Sequence, residues 1–332
     1  MKKHIFLSIF IMLVVISFGI SIVHAGEKTL GRGGLMQHNT MQVDGIERIY
    51  DLYIPSALGT TSRPLIFLLH GHGGSVSQLT GQNGNAAPHK VWFEIAEREK
   101  LILVIPSGAL SPDGNLGWND CRADAESNPK ADDVKFIRTL IQTIGKSYAI
   151  DRSRVFASGI SNGGNMALRL ALELSDQIAA VAVVASAMPK VNECGPPAHP
   201  VSVLFMNGTA DPLLPYEGGE VAKGWGKRGS VISTDASVHY WIKHNHTKTE
   251  PEVKQFPQSK RGGRGSVIRY RYNGGKEGTE VVLYKVGGGG HTEPSIKERY
   301  LGPFELAVGS QNGDIEMADE VWCFFKDKQK RH

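Results

Sequence analysis

An α/β fold, with a mostly parallel central sheet covered by helices on both faces, follows from three features of this 332-residue sequence. Residues 64–69 and 101–105 are wholly apolar runs of strand length, the pattern of strands buried on both faces. Other stretches place their apolar residues three and four apart, as at Val134, Ile137, Leu140, Ile141 and Ile144. The third feature is Gly159-Ile160-Ser161-Asn162-Gly163, entered from the apolar residues 155–157 and left through the helix-forming residues 166–172. Strand, sharp turn and helix in that order lift a serine hydroxyl clear of a sheet. The turn strains the Ser161 backbone, needs small neighbours at 159 and 163, and sets the positive end of a helix beneath the hydroxyl.

Taken in order, the chain opens on Lys2 and Lys3, followed by an apolar run from Ile5 to Val23. Val23 and Ala25 supply the small residues of a cleavage site. Residues 1–25 are therefore expected to be a signal peptide, and the mature protein secreted or periplasmic. An uncleaved anchor is the alternative, since the apolar run is long for a signal peptide. No later stretch is apolar enough to span a bilayer, so no membrane partner is expected after cleavage. Residues 26–45 are Gly-rich and polar, a loose start. Residues 46–328 are expected to form one domain, with no internal repeat or linker.

Residues 48–54 alternate in part and stop at Pro55, as an early antiparallel strand does. The strand at 64–69 runs into His70-Gly71-His72-Gly73-Gly74; helical spacing covers 91–98, and the strand at 101–105 stops at Pro106. Residues 107–131 form a long polar loop, a length that is either functional or loosely ordered. Asp132 and Asp133 open the next helix, where capping explains two acids better than a catalytic pair does. Strands are expected at 178–185, 201–206, 266–272 and 280–286, and helices at 234–246 and 317–327.

Beyond residue 25 there are 35 basic and 33 acidic residues, too even a balance to argue for a nucleic-acid partner. The Arg261-Gly262-Gly263-Arg264-Gly265 run contains no aromatic for stacking and is expected to be a solvated loop. Three cysteines remain in a chain expected to be exported. Cys323 falls in an apolar helical pattern and is expected to be buried, which leaves Cys121 and Cys194 as the candidate disulfide.

A serine hydroxyl needs a histidine to take its proton and a carboxylate to orient that histidine. In an open α/β sheet such groups sit just past the carboxyl ends of strands. Downstream of Ser161, Asp211 follows the strand at 201–206, and His291 follows the strand at 280–286 behind four glycines. The catalytic residues are therefore expected to be Ser161, Asp211 and His291. Backbone N–H groups of His72 and of Asn162 are expected to form the oxyanion hole. Trp118, held in a polar loop, is a substrate-binding candidate as a platform for a planar or sugar ring; Trp225 lies in a similar loop. His89 and His199 lie beside prolines, where a loop role is expected; His244 and His246 lack metal-pair spacing and no His-Glu-x-x-His occurs. No metal and no cofactor are expected.

The segments Leu69-His70-Gly71-His72-Gly73-Gly74, Gly159 to Gly164, Asn207-Gly208-Thr209-Ala210-Asp211-Pro212 and Gly288-Gly289-Gly290-His291-Thr292 resemble the motifs of secreted feruloyl esterases and the related polyhydroxybutyrate-depolymerase-like esterases. Trp118-Asn119-Asp120-Cys121 resembles the loop ahead of the family's central helix. The resemblance covers residues 45–325 and implies an α/β-hydrolase fold, with Ser161 as nucleophile, Asp211 as orienting acid and His291 as base. One departure is visible: the family commonly has Trp-Pro after its His-Thr, whereas Glu293-Pro294 stands here. The resemblance implies a serine esterase acting on phenolic esters of plant polysaccharide, or alternatively on hydroxyalkanoate polyesters; a monomer is expected. A peptidase, or a non-catalytic polysaccharide-binding protein on the same fold, are the remaining readings.

Overall fold

Alternate side chains of a strand point to opposite faces, so an apolar run without polar interruptions serves two cores at once. Residues 65–69 do this. Leu65, Phe67 and Leu69 join one buried cluster, and Ile66 and Leu68 join the other. The computed structural model describes residues 34–259, 263 and 265–331.

In chain order the strands are β1 (Gly34–Val43), β2 (Ile46–Ile54), β3 (Arg63–Leu69), β4 (Ile102–Pro106), β5 (Ala109–Leu110), β6 (Leu116–Gly117) and β7 (Ile150–Ile160). They continue with β8 (Ala180–Val184), β9 (Ser202–Gly208), β10 (Gly219–Glu220), β11 (Ser230–Val231), β12 (Glu252–Gln255), β13 (Val267–Tyr272) and β14 (Val281–Val286). The helices are α1 (Val76–Leu79), α2 (Val91–Glu99), α3 (Asp133–Ser147), α4 (Asn162–Glu173), α5 (Thr234–Asn245), α6 (Gly302–Val308) and α7 (Met317–Phe325).

The main sheet runs β1-β2-β4-β3-β7-β8-β9-β14-β13-β12. From β4 to β14 every neighbour is parallel; β1 and β2 on one side, and β13 and β12 on the other, are antiparallel. On one face α3, α4 and α5 bury Phe136, Ile137, Leu168 and Trp241. On the other, α2 and α7 bury Trp92, Ile95 and Phe325. Phe325 stacks on Phe156 of β7 with ring centroids 4.7 Å apart. Asp132 caps α3, accepting the Lys135 N–H at 2.8 Å. Asp133 does something else: it is buried in an ion pair with Arg48 of β2 at 2.6 Å and accepts the Asn119 N–H at 2.7 Å, tying β2, α3 and the 107–131 loop together.

Two expectations need correction. Residues 34–43 are not loose: they pair with β2 as a ten-residue edge strand, whose polar, largely exposed pattern hid it. Cys323 is exposed, because its place on α7 falls on the solvent side between the inward Trp322 and Phe324. The polar loop before α3 is ordered by the short β5–β6 pair and by the expected disulfide between Cys121 and Cys194, which closes a separation of 73 residues. A loop of that length is worth about 4 kcal/mol on a chain-entropy account. The expected leader over residues 1–25, and positions 261, 262 and 264 of the Arg-Gly run, lie outside the described residues. Among the described residues no helix is long and apolar enough to cross a membrane.

Candidate active site

The turn between β7 and α4 is as tight as its glycines imply. Ser161 sits at φ 55°, ψ −123°, a left-handed backbone that a side chain rarely adopts, and its N–H donates to the Val184 carbonyl at 2.9 Å. A methyl group on Gly159 would fall 2.2 Å from the Gly163 carbonyl oxygen, and one on Gly163 would fall 2.3 Å from that of Leu69. Such contacts are impossible without displacing backbone, so only glycine lets the strand, the helix and the end of β3 pack this closely.

Asp211 and His291 come from the ends of the adjacent parallel strands β9 and β14. Their loops are sewn together: Thr209 N–H donates to Val286 O at 3.0 Å and Ala210 N–H to Gly289 O at 2.9 Å. A methyl on Gly208 would lie 2.2 Å from the Gly289 oxygen, and one on Gly290 would lie 2.4 Å from Gly309 backbone, which accounts for the glycine run. Asp211 Oδ1 accepts the N–H groups of Leu213 and Leu214, both at 2.8 Å. Its Oδ2 lies 2.8 Å from His291 Nδ1 across 80 residues of chain. His291 and Ser161 line the same cavity, of about 650 Å³. A carboxylate holding Nδ1 leaves the opposite ring nitrogen free to accept a proton.

The loop after β3 forms another wall. Within it Gly73 N–H donates to Leu116 O at 2.8 Å and Gly74 N–H to Gly71 O at 2.9 Å; the His72 N–H takes no part in these turn bonds. Asn162, the first residue of α4, has an N–H without an intrahelical acceptor. The His72 side chain is held at 2.8 Å from Asp113, which also pairs with Arg228 at 3.3 Å. Burial, then the charge of Arg228, push the His72 pKa down.

His70 is fully buried, and both ring nitrogens are used. Nε2 accepts the Gly108 N–H at 2.9 Å and Nδ1 contacts the Gly71 carbonyl at 2.8 Å, an arrangement that suits the neutral ring. Burial lowers its pKa from 6.5 to about 4, opposed by the Gly71 bond and assisted by His72. A buried base with a lowered pKa favours the unfolded chain once protons are available. Its contribution is therefore present above pH 6.5 and is lost between 6.5 and about 4. That loss amounts to roughly 3 kcal/mol. Thermal melts from pH 7.5 to 4.5 should show a shallower acid slope for His70→Gln than for the parent; equal slopes would contradict this account.

Trp118 does not offer a platform. It is wholly buried, its Nε1–H donates to the His70 carbonyl at 2.8 Å, and it is absent from the cavity lining. Trp225, 63% exposed, lines the cavity instead, together with Tyr300, Leu301 and Phe304 around α6. Glu293 is buried in the same wall, where Oε2 accepts the Tyr300 hydroxyl at 2.7 Å and Oε1 lies 3.1 Å from His89 Nδ1. Burial pushes the Glu293 pKa up, but His89 and Tyr300 outweigh it and hold the carboxyl below its usual range. His89, expected in an ordinary loop, is thus part of the cavity wall; only its partner 204 positions away reveals it.

This geometry meets a family profile described as phospholipase/carboxylesterase, which matches residues 57–251. The chain belongs to that family. It is a serine carboxylic ester hydrolase of the α/β-hydrolase fold. Among relatives of this esterase, the esterase-named protein NocK of Nocardia uniformis subsp. tsuyamanensis is 32% identical over 270 residues, covering 79% of this chain and 74% of that protein. Feruloyl esterase B of Piromyces equi is 30% identical over 240 residues, 71% of this chain but only 40% of the longer relative. An acetyl xylan esterase from Aspergillus awamori superposes with a TM-score of 0.55 at 14% identity, covering 89% of this esterase and 99% of that chain, a likeness of fold alone.

Proposed function

We propose that the esterase works through an acyl-enzyme, with Ser161 as nucleophile, His291 as base and Asp211 as the acid that orients it. The Asp211–His291 bond beside a strained serine on one cavity carries this reading. Ser161 attacks the ester carbonyl while its proton passes to His291; the alkoxide collapses and the alcohol leaves with that proton. Water then repeats the sequence on the acyl group, and Ser161 is restored. N–H groups of His72 and Asn162 receive the transient oxyanion.

Feruloyl-type esters on plant polysaccharide are the proposed substrates. The aromatic rim of Trp225, Tyr300 and Phe304 suits a planar acyl group or a sugar ring, and the feruloyl esterase name of the Piromyces equi relative points the same way. A hydroxyalkanoate polyester is the second reading, favoured by the aliphatic Leu301, which lines the cavity and is 75% exposed. The disulfide supports export to an oxidising compartment. Parallel assays on methyl ferulate and on 3-hydroxybutyrate oligomers separate the substrates. Turnover of the ferulate at least tenfold faster supports the first reading, and the reverse order replaces it with the second.

A further inference from the structure

We propose that Asp120 and the side chain of Asn162 are positioning groups, fixing the distance between the two N–H groups that receive the oxyanion. This rests on the assignment of His72 and Asn162 made above. The two N–H groups belong to different elements, the loop after β3 and the first turn of α4, whose approach begins with the pairing of β3 and β7 up to Leu69 and Gly159. A third segment, residues 116–120, bonds to both.

Asn162 is buried and its side chain does not line the cavity. Its Oδ1 accepts the Trp118 N–H at 2.7 Å, and its Nδ2 donates to Trp118 O at 3.1 Å and to Asp120 Oδ2 at 2.7 Å. The same segment grips the opposite loop. Trp118 Nε1–H donates to His70 O, and Leu116 O accepts from Gly73 N–H, both at 2.8 Å. A methyl on Gly117 would lie 3.0 Å from His72 Nδ1 and 3.2 Å from Asn162 Oδ1, so the backbone there touches both residues.

Asp120 anchors the segment. It is wholly buried; Oδ1 accepts from Arg122 N at 2.9 Å and Asn128 Nδ2 at 3.0 Å, while Oδ2 accepts from Arg122 at 2.6 Å and from Asn162. Both oxygens face donors only. Asp120→Asn keeps the shape but turns an NH₂ group against a donor in either amide orientation, and so loosens the clamp on Asn162. Cys121 follows directly and is pinned through its disulfide to Cys194.

Oxyanion donors act only when they are held in place before the reaction, and a displacement of about 1 Å can cost on the order of 100-fold in rate. The test uses the full chain with Asp120→Asn and Asn162→Ala, the latter keeping its backbone N–H. Folded sites are counted with a serine-directed fluorophosphonate, and turnover of p-nitrophenyl acetate is expressed per counted site. Phenylboronic acid, whose boron accepts the serine oxygen to give a tetrahedral anion, probes the oxyanion position. The expected result is a kcat about 10- to 100-fold lower, KM changed by less than about twofold, and boronate affinity weakened in step with kcat. Unchanged kcat per site with unchanged boronate affinity would overturn the proposal, even if the melting temperature fell. Should Asn162→Ala give no countable sites, the isosteric Asp120→Asn carries the test. A Ser161→Ala enzyme that kept the parent rate would instead sink the nucleophile assignment on which the proposal rests.

Discussion

Ser161→Ala should lose about 10⁵- to 10⁶-fold in kcat on p-nitrophenyl acetate, with an unchanged melting temperature. The size follows from the role. Without the hydroxyl no acyl-enzyme forms, and only direct attack by water beside the oxyanion site remains. The fold should not notice the change. The Ser161 side chain makes no capping bond to α4, and alanine meets the same φ of 55° that serine already tolerates. Loss of activity with the fold retained therefore isolates the chemistry. Activity above about 1% of the parent, after exclusion of wild-type carry-over, would remove Ser161 from the mechanism.

Asp211→Asn should cost about 10⁴-fold in kcat, for a reason its two oxygens specify. Oδ1 accepts two backbone N–H groups, from Leu213 and Leu214, and cannot be exchanged for an NH₂ group without two donors facing a donor. An asparagine must keep its carbonyl oxygen there, so its NH₂ points at His291 Nδ1. That nitrogen then has to accept, and the ring proton moves to the nitrogen that should take the serine's proton. Steady-state rates of Asp211→Asn against those of Asp211→Ala check the argument. Alanine leaves Nδ1 free to keep its proton, so it should be no worse than asparagine despite removing more atoms. A variant within tenfold of the parent would end the orienting role.

The parts of this molecule that were legible from residues alone are those where one local rule acts. The apolar runs of β3 and β4 announce strands because burial on both faces admits nothing else, and the glycines flanking Ser161 announce a turn because any Cβ there would strike backbone. Asp211 and His291 were reachable because strand ends are where a parallel sheet gathers its polar groups, and four glycines before His291 marked a close approach. What escaped depends on partners distant in sequence. Trp118 in a polar loop looks like a surface ring until His70 and Asn162 claim its donors and bury it. Asp133 passes for a cap until Arg48 is seen against it. His89 gave no signal until Glu293 faced it, and β1 had too few apolar residues to alternate because only an edge strand was required. The apolar neighbours of Cys323 suggest burial, but its helical phase sets it on the solvent side.

The hydrogen bond that orients His291 is made across 80 residues, and the histidine stands forty residues past the stretch matched by the family profile. Under the triad proposed above, hydrolytic competence therefore arrives last. A polypeptide emerging N-terminus first would complete the serine turn and its helix while still lacking the proposed base, which reaches the site only when β14 docks beside β9. On that reading the growing chain would stay chemically silent toward esters until that closing event, and a clip between 251 and 291 that freed the C-terminal strands would return it to silence.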